Sequence, residues 1–395
     1  MVELPSEIMY DIFSRMPVKS LARFRCVSKP WCSYINDPYL ETMHAKRAAV
    51  HDPLLLMLHQ LSYGERNSPC ALSFSECKEE AGRAGSCTLE VRTKPPASAM
   101  PMGFMCNSWY NISACNGLLY VSQWHPDRTT TSVVIHPLKR ECYELPPIRM
   151  PSSFFFESGL GFDDSTNTFK MVCVTKREQV MVHILGTDSW RKIPKVPSYP
   201  VYGVGVFANG CLHWLAYYNK GNELPLIIGF DVKTEEFGLI QPPRKILRHV
   251  NHGFCDPDLA NLHGQLGFVY TMRYSVEVWV LKERGWVMYC EFKLKPPLDG
   301  GVVKVLGFWN KSGDILVTHH LKVKRWFVYN LKSDSLYEVS VIGCEKGCAK
   351  DFIMYQNNLF STRYSIKNPR NFGLIEFNGS KGSTGCGSRE ELVQG

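Results

Sequence analysis

The sequence predicts an α+β multidomain protein, in which a small all-α module of three helices precedes a large all-β, propeller-like domain of about six blades. Three observations support this prediction. Short helical patterns broken by prolines fill the first forty residues. After His51 the chain changes to short strand patterns separated by turn signals. These strand patterns recur with a period near fifty residues, which is typical of propeller blades.

The bulk composition is that of an ordinary folded protein of 395 residues, with 45% hydrophobic and 21% charged residues. The net charge of +8 is modest and spread along the chain, which argues against a nucleic-acid site. The fifteen cysteines are an odd number, lie mostly in apolar runs and follow no secretory signal, so we expect reduced thiols. No apolar run reaches the ~18 residues of a membrane span. We expect a cytoplasmic or nuclear protein that binds no membrane, metal or cofactor.

Three prolines divide the N-terminal segment into three short helices. Pro5 suits the first turn of a helix, Pro17 ends that helix, and Pro30 begins the third. The apolar residues of the first helix fall at helical spacing: Ile8, Met9, Ile12, Phe13 and Met16. Helices this short are marginal alone, and about forty residues rarely bury a sufficient core. Because the module has more apolar residues than one small core can hold, we expect a partner surface.

The N-terminal segment resembles the F-box, and we assign residues 1–45 to it. The residues that match are Leu4-Pro5-x-Glu7-Ile8, Ile12 to Leu21, and Arg23-Phe24-Arg25-Cys26-Val27-Ser28-Lys29-x-Trp31. Met16 stands where leucine is usual, and Pro30 and Cys32 also depart from the pattern. The resemblance implies a module that docks on a Skp1-like adaptor and, through it, on a cullin and a RING subunit. It places these residues at or behind the adaptor interface: Leu4, Pro5, Ile8, Ile12, Leu21, Val27 and Trp31.

Two alternating patterns define the repeats of the larger domain. In the first, a tight turn enters an apolar strand, at Asn116-Gly117, Asn209-Gly210, His263-Gly264 and Ser312-Gly313. The second is a strand, a polar turn and a strand, beginning at Val133, Val180, Leu226, Val276 and Trp326. These starts are separated by 47, 46, 50 and 50 residues, which predicts five blades directly.

A sixth blade would close the ring by joining both ends of the domain, which removes exposed strand edges. Its strands would come from Leu54–Leu58, Ala71–Phe74, Phe352–Ser361 and Phe372–Phe377. The propeller domain would then span residues 46–377. Residues 76–102 mix charge, Gly, Ala and Pro and are predicted to be a flexible insertion, and the Gly/Ser-rich residues 378–395 a disordered tail.

The same strands resemble the F-box-associated domain of plant F-box proteins, which is kelch-like in layout. The matching segments are Cys115-Asn116-Gly117-Leu118-Leu119, Gly161-Phe162-Asp163, Phe169-Lys170-Met171-Val172, Trp190-Arg191, Asn209 to Leu215, Phe230 to Phe237 and Val278 to Glu283. His136-Pro137 stands where Asn-Pro is usual. The resemblance implies a substrate-binding domain. Aromatic residues near predicted strand ends are weak candidates for its binding face, because Trp and Tyr are enriched at interfaces: Trp109, Tyr110, Trp124, Tyr199, Tyr202, Tyr217 and Tyr218.

Enzymatic motifs are weak. Gly203-x-Gly205 fits a loose dinucleotide fingerprint, but a strand rather than a helix follows it. The pairs Cys344/Cys348 and His249/His252 fall short of a zinc site. The two resemblances imply a non-catalytic substrate-recognition subunit of a Skp1–cullin–F-box E3 ubiquitin ligase, which recruits an unknown target for degradation. The alternatives are a binding protein that acts outside ubiquitin transfer and a kelch-type propeller enzyme.

Overall fold

The computed structural model describes the main part of both predicted regions. The residues it describes are 4–37, 39–40, 43–44, 54–60, 69–78, 88–93, 100–105, 110–124, 130–137, 141–146, 148, 156–175, 179–217, 225–246, 255–294, 302–310, 312–320, 324–342, 349–355 and 370–371.

Three helices form the N-terminal module: α1 (Ser6–Ser14), α2 (Val18–Phe24) and α3 (Lys29–Ile35). Pro5 and Pro17 occupy the N-cap positions of α1 and α2, where a missing N–H costs no helical hydrogen bond. The Ser28 hydroxyl caps α3 by accepting a hydrogen bond from the Trp31 amide at 3.3 Å. The helix boundaries therefore follow the prolines, as the sequence predicts.

The described strands after the helical module form six blades, five built on four consecutive antiparallel strands each and a sixth on five strands, which confirms the predicted propeller-like domain. The strands of the first three blades are β5 (Tyr110–Cys115), β6 (Leu118–Trp124), β7 (Thr130–His136) and β8 (Glu141–Glu144); β9 (Phe156–Asp163), β10 (Thr168–Thr175), β11 (Val180–Ile184) and β12 (Arg191–Ile193); and β13 (Val201–Ala208), β14 (Cys211–Ala216), β15 (Leu226–Asp231) and β16 (Phe237–Ile240). The next two consist of β17 (Cys255–Leu262), β18 (Gln265–Met272), β19 (Ser275–Lys282) and β20 (Gly285–Lys293), and of β21 (Val302–Phe308), β22 (Ile315–His320), β23 (Lys324–Asn330) and β24 (Ser335–Ile342).

The sixth blade combines the two ends of the domain, as predicted. Its strands are β1 (Leu54–Gln60), β2 (Pro69–Lys78), β3 (Thr88–Thr93), β4 (Met100–Met105) and β25 (Ala349–Tyr355). Strand β1 pairs with both β2 and β25, so the C-terminal strand lies beside N-terminal ones. The short β26 (Arg370–Asn371) then pairs with β8 of the first blade. This arrangement joins the chain ends without leaving β1 as an open edge.

The tight turns predicted from sequence connect the first and second strands of their blades. Asn116-Gly117, Asn209-Gly210 and His263-Gly264 all have positive φ at both positions, between 43° and 81°. Such mirror-image turns match the right-handed twist of the strands they join. The predicted starts near Val133, Val180, Leu226, Val276 and Trp326 all lie in the third strands of successive blades.

Buried apolar residues lie between neighbouring blades. One cluster joins the first two blades through Tyr120, Val134 and Phe169, and another joins the second and third through Val182 and Trp214. Each sheet is thus covered on its faces by its neighbours, since a single blade cannot bury both of its faces.

The structure differs from the sequence prediction over residues 76–102. Instead of a continuous flexible insertion, the described part of this segment contains the end of β2, all of β3 and the start of β4. Strand β3 pairs in parallel with β24 of the fifth blade, in a register that sets Leu89 opposite Val339. Pairing with β2 on one side and with the sequence-distant β24 on the other thus stabilises a segment of unfavourable composition. Residues 372–395, including the predicted tail at 378–395, lie outside the described residues.

Candidate functional site

Helix α1 presents two apolar faces. Its inner face places Met9 and Phe13 in the module's core, with Leu21, Ile35 and Leu40 from elsewhere in the segment. The adjacent, outward face carries Ile8 and Ile12, and Leu4 precedes the helix one turn away; these three side chains are 46%, 41% and 51% exposed. Residues four apart lie on one side of a helix, so these side chains form a stripe. Val27, after α2, is also exposed, as is Pro5. We call Leu4, Ile8, Ile12 and Val27 the apolar stripe.

Two of the seven predicted adaptor-binding residues lie inward of this surface. Leu21 is fully buried in the helical core. Trp31 is half-buried, with its ring against Phe13 and Phe24 at centroid distances of 5.3 and 5.4 Å. Leu21 lies in the core of the module and Trp31 packs against that core, so neither contributes to the exposed surface of the stripe.

The predicted aromatic residues of the propeller are only partly brought together. The Tyr202 and Tyr217 rings meet edge to face, with centroids 5.4 Å apart. Tyr199 packs against the core between the second and third blades. Tyr110 and Trp124 lie at the ends of strands β5 and β6, and Trp109 and Tyr218 lie outside the described residues.

A cavity of about 720 Å³ is lined in part by Gly203, the residue that follows Tyr202 in the chain. The cavity wall is built from β5, β13, β17 and β21, the first strands of four blades, and from β25 of the sixth blade. Gly203, Asp258 and Lys304 lie early in three of these strands and line the cavity. Asp256 precedes Asp258 by two residues on β17, so both carboxylates lie on the same side of the strand.

The charged groups around Asp258 are more negative than positive: two carboxylates, of Asp256 and Asp258, face the single ammonium group of Lys304. Burial raises the pKa of Asp256 and of Asp258, and the positive charge of Lys304 only partly opposes the shift. Lys304 Nζ lies 3.8 Å from Asp258 Oδ2. The pKa of Tyr217 is raised by burial first and then by Asp256, Tyr202 and Asp258, which places its hydroxyl in the field of both carboxylates.

Three further features of the described residues concern metal binding, cysteine reactivity and membrane crossing. Among the residues that the structure describes, no group of three or more His, Cys, Asp or Glu side chains could hold a metal ion. The seven cysteines whose side chains the structure describes form no disulfide bond, and burial raises the pKa of Cys115, Cys173 and Cys290, which disfavours the reactive thiolate. None of the helices in the described ranges has the length and apolarity that a membrane crossing requires.

Comparison with protein families identifies both regions. The F-box domain family matches residues 1–42, and the F-box associated beta propeller domain family matches residues 68–364. The second match covers well over half of the 395 residues. The chain belongs to the F-box associated propeller family. The resemblance predicted from sequence is therefore confirmed.

Similar proteins from Arabidopsis thaliana are F-box proteins by name. F-box protein At1g53790 is 26% identical over 86% of this chain and 76% of its own length. F-box protein At1g67130 is 28% identical over 86% of this chain and 73% of its own length. Among solved structures, a six-bladed fungal lectin from Aleuria aurantia, bound to a fucoside, matches 75% of this chain and 99% of its own with 9% identity and a TM-score of 0.42.

The sequence pattern singled out residues of the apolar stripe, but it gave no signal for the acidic residues at the cavity. Leu4, Ile8 and Ile12 were identifiable from helical spacing and the F-box pattern. Asp256 and Asp258 carry no motif, and only their place at the start of an inner strand brings them next to Tyr217. That placement depends on the order of blades around the ring, which no local pattern of residues contains.

Proposed function

We propose that this F-box protein is the substrate-recognition subunit of a Skp1–cullin–F-box E3 ubiquitin ligase. The F-box would bind a Skp1-like adaptor, which links it to a cullin and a RING subunit, while the propeller binds the target protein. The chain itself makes no bond in this scheme. It would act by holding the target near a ubiquitin-charged enzyme, which turns their encounter into a nearly intramolecular step.

The apolar stripe is the observation that carries this proposal. Four large apolar side chains between 41% and 61% exposed are unusual on so small a module, and they do not contribute to its core. An adaptor surface that covers them would add the burial that three short helices cannot supply alone. The F-box match to residues 1–42 supports a Skp1-like adaptor as this partner.

The test is co-purification of the full chain with a Skp1-like adaptor. The test variant carries Leu4→Ser, Ile8→Ser and Ile12→Ser, which remove apolar surface without touching the core. Its matched control carries Arg15→Ser, Arg23→Ser and Lys29→Ser, which are also exposed. Since each lost apolar contact costs ~1–2 kcal/mol, we expect affinity to fall on the order of a hundredfold in the stripe variant and little in the control.

Retention of the adaptor by the stripe variant would contradict the proposed interface, as would equal losses in both variants. If the parent chain binds no adaptor while its circular dichroism shows folded β-structure, the ligase assignment itself is wrong. The protein would then act as a free-standing binding protein, the alternative that an unchanged target half-life after depletion would also favour.

We further propose that the protein acts in the cytoplasm or nucleus as a non-catalytic subunit. The lack of disulfide bonds among the seven cysteines whose side chains the structure describes supports a reducing compartment. Localisation of a fluorescent fusion tests the first statement. Ubiquitin transfer that depends on the RING subunit and not on any acidic or thiol group of this chain would support the second.

A further inference from the structure

Asp258 lines the cavity and belongs to a cluster that combines two tyrosine rings with two carboxylates and a single ammonium group. We call Tyr202, Tyr217, Asp256 and Asp258 the acidic mouth. We propose that the acidic mouth binds an arginine or lysine side chain of the target protein. This inference rests on the proposed function, because it names the chemistry that the propeller recognises in its target.

The charge balance of the mouth favours a cation. Asp258 receives one hydrogen bond, from the Leu259 amide at 2.9 Å, and a loose ion pair with Lys304 at 3.8 Å. The Asp256 carboxylate makes no hydrogen bond or ion pair with any other residue in the described ranges. Two carboxylates thus share one ammonium group that is itself 58% exposed. A second cation would compensate the remaining negative charge in a partly desolvated site, where such pairing is stronger than in water.

The tyrosines supply the second element of a cation site. An ammonium or guanidinium group gains from contact with a tyrosine face within ~6 Å of the ring centroid. Tyr202 is 37% exposed, and Tyr217 contacts its ring while lying in the field of both carboxylates. A basic side chain that reaches the carboxylates would therefore also meet aromatic surface.

The backbone of β13 is distorted where it presents Tyr202. The pairing of β13 with β14 shifts register between Tyr202 and Val206, and Gly203 has a φ of +84°. A bulge of this kind changes the direction in which the neighbouring side chain points. At Gly203 a Cβ atom would meet no other atom within 4 Å, so packing does not require glycine there. Its positive φ, which glycine adopts without strain, accounts for the residue.

The histidine of the cavity wall adds no positive charge to the site. His263 lines the cavity, and burial lowers its pKa, so the ring is neutral at pH 7. Lys304 is thus the one cationic side chain among the described residues that line the cavity.

The test uses short random peptides displayed on phage, selected against the purified full chain. We expect enrichment of peptides that contain Arg or Lys. An enriched arginine peptide is then compared with the same peptide carrying citrulline, which keeps the shape of arginine and removes its charge. Fluorescence anisotropy should show affinity roughly tenfold or more weaker for the citrulline peptide.

Variants of the chain assign the effect to the mouth. Asp256→Asn with Asp258→Asn should weaken the arginine peptide to the level of the citrulline peptide and leave the latter unchanged. A matched control, Asp164→Asn with Asp188→Asn, removes two exposed carboxylates elsewhere and should change neither. Lys304→Met should strengthen the arginine peptide several-fold by removing a competing cation, a gain that a misfolded variant cannot produce.

Enrichment of acidic or wholly apolar peptides, equal affinity for arginine and citrulline, or no enriched peptide would overturn the inference. Adaptor co-purification keeps its failure separate from that of the proposed function. The Asp256→Asn, Asp258→Asn variant should retain the adaptor, because no F-box residue is changed. Conversely, a chain that binds arginine peptides and no adaptor would leave the mouth in place and remove the ligase.

Discussion

Lys170 carries its ammonium group into the interior between the second and third blades. Its Nζ atom lies 3.0 Å from Asp163 and from Glu235 and donates a hydrogen bond to the Val232 carbonyl at 2.7 Å. The side chains of Lys170 and Asp163 are only 8% and 2% exposed. Burial alone would raise the pKa of Asp163, but hydrogen bonds from Ser165 and Lys170 and the charge of Lys170 lower it well below its ordinary value. These residues belong to the family's sequence pattern, and here they link two blades.

Removal of the lysine should therefore be costly. Lys170→Met leaves the Asp163 carboxylate buried without its counter-charge, which in comparable sites destabilises a protein by ~3–5 kcal/mol. The exposed Lys192→Met serves as the control, with an expected change below ~0.5 kcal/mol. Denaturant unfolding measures both. Adding Asp163→Asn to the Lys170→Met variant should recover part of the loss, and an unchanged double variant would argue against the ion pair as the cause.

His213 predicts a second effect, which depends on pH. Burial lowers the pKa of His213 to about 4, against weaker opposing hydrogen bonds to the Val206 and Cys211 backbone. In the unfolded chain the same group has a pKa of ~6.5, so the unfolded state binds the proton more tightly. Stability from this group is present above pH ~6.5 and is lost as the pH falls to about 4, by an amount on the order of 3 kcal/mol.

The measurement is unfolding free energy against pH for the parent and His213→Gln. The variant should show a shallower slope between pH 6.5 and 4, because its residue 213 no longer titrates. His320→Gln, which changes an exposed histidine, should keep the parent slope. Parallel curves for the parent and His213→Gln would show that other groups cause the acid sensitivity.

Two glycines illustrate what single residues reveal only in the structure. In the sequence, Gly203-x-Gly205 resembles part of a nucleotide fingerprint. In the fold, a Cβ at Gly205 would lie 2.7 Å from two ring carbons of Trp214, so the position accommodates a buried indole. Gly203 instead provides the positive φ of the β13 bulge. Spacing alone cannot distinguish glycine required by a ligand from glycine required by a neighbouring side chain.

At the scale of elements, local patterns predicted the strands that pair with their sequence neighbours. The turn at Asn209-Gly210 and the alternation after it place β13 beside β14 without knowledge of the rest of the chain. Strand β3 was missed because its composition is unfavourable and it is stabilised by pairing on both sides, with β2 and with β24, which lies more than two hundred residues away. The sixth blade was predictable only because an open ring would leave edges exposed.

The closing blade gives a prediction about truncation. Strand β25 pairs with β1 along its length, with Leu56 opposite Ile353 and Leu58 opposite Asp351. Deletion of residues 349–395 should expose the β1 edge and produce aggregates with non-cooperative thermal unfolding. Deletion of residues 379–395 removes no described strand and should leave a monomer with parent-like unfolding. Size-exclusion chromatography and a thermal melt distinguish the two, and a stable monomer from the longer deletion would contradict the role of β25 in closure.

For the whole molecule, we expect the acidic mouth to bind the target and the apolar stripe to bind the adaptor, so that both surfaces are needed for ubiquitination of the same target. The stripe variant with Leu4→Ser, Ile8→Ser and Ile12→Ser retains the mouth, so it should still hold the target while recruiting no adaptor. Ubiquitin transfer gains its rate from tethering, and a target held by this variant lacks the tether. Expressed in excess over the parent, the variant should therefore lengthen the half-life of the target.

The experiment first identifies proteins captured by the parent chain under proteasome inhibition, and then follows their half-lives after inhibition is lifted. The same proteins should be captured by the stripe variant and lost from the Asp256→Asn, Asp258→Asn variant. Combining the stripe and mouth substitutions in one chain should abolish the stabilising effect, because a chain that binds neither partner cannot compete. If that combined chain still lengthens the half-life, the target is held by a surface other than the mouth, and the stripe alone remains assigned.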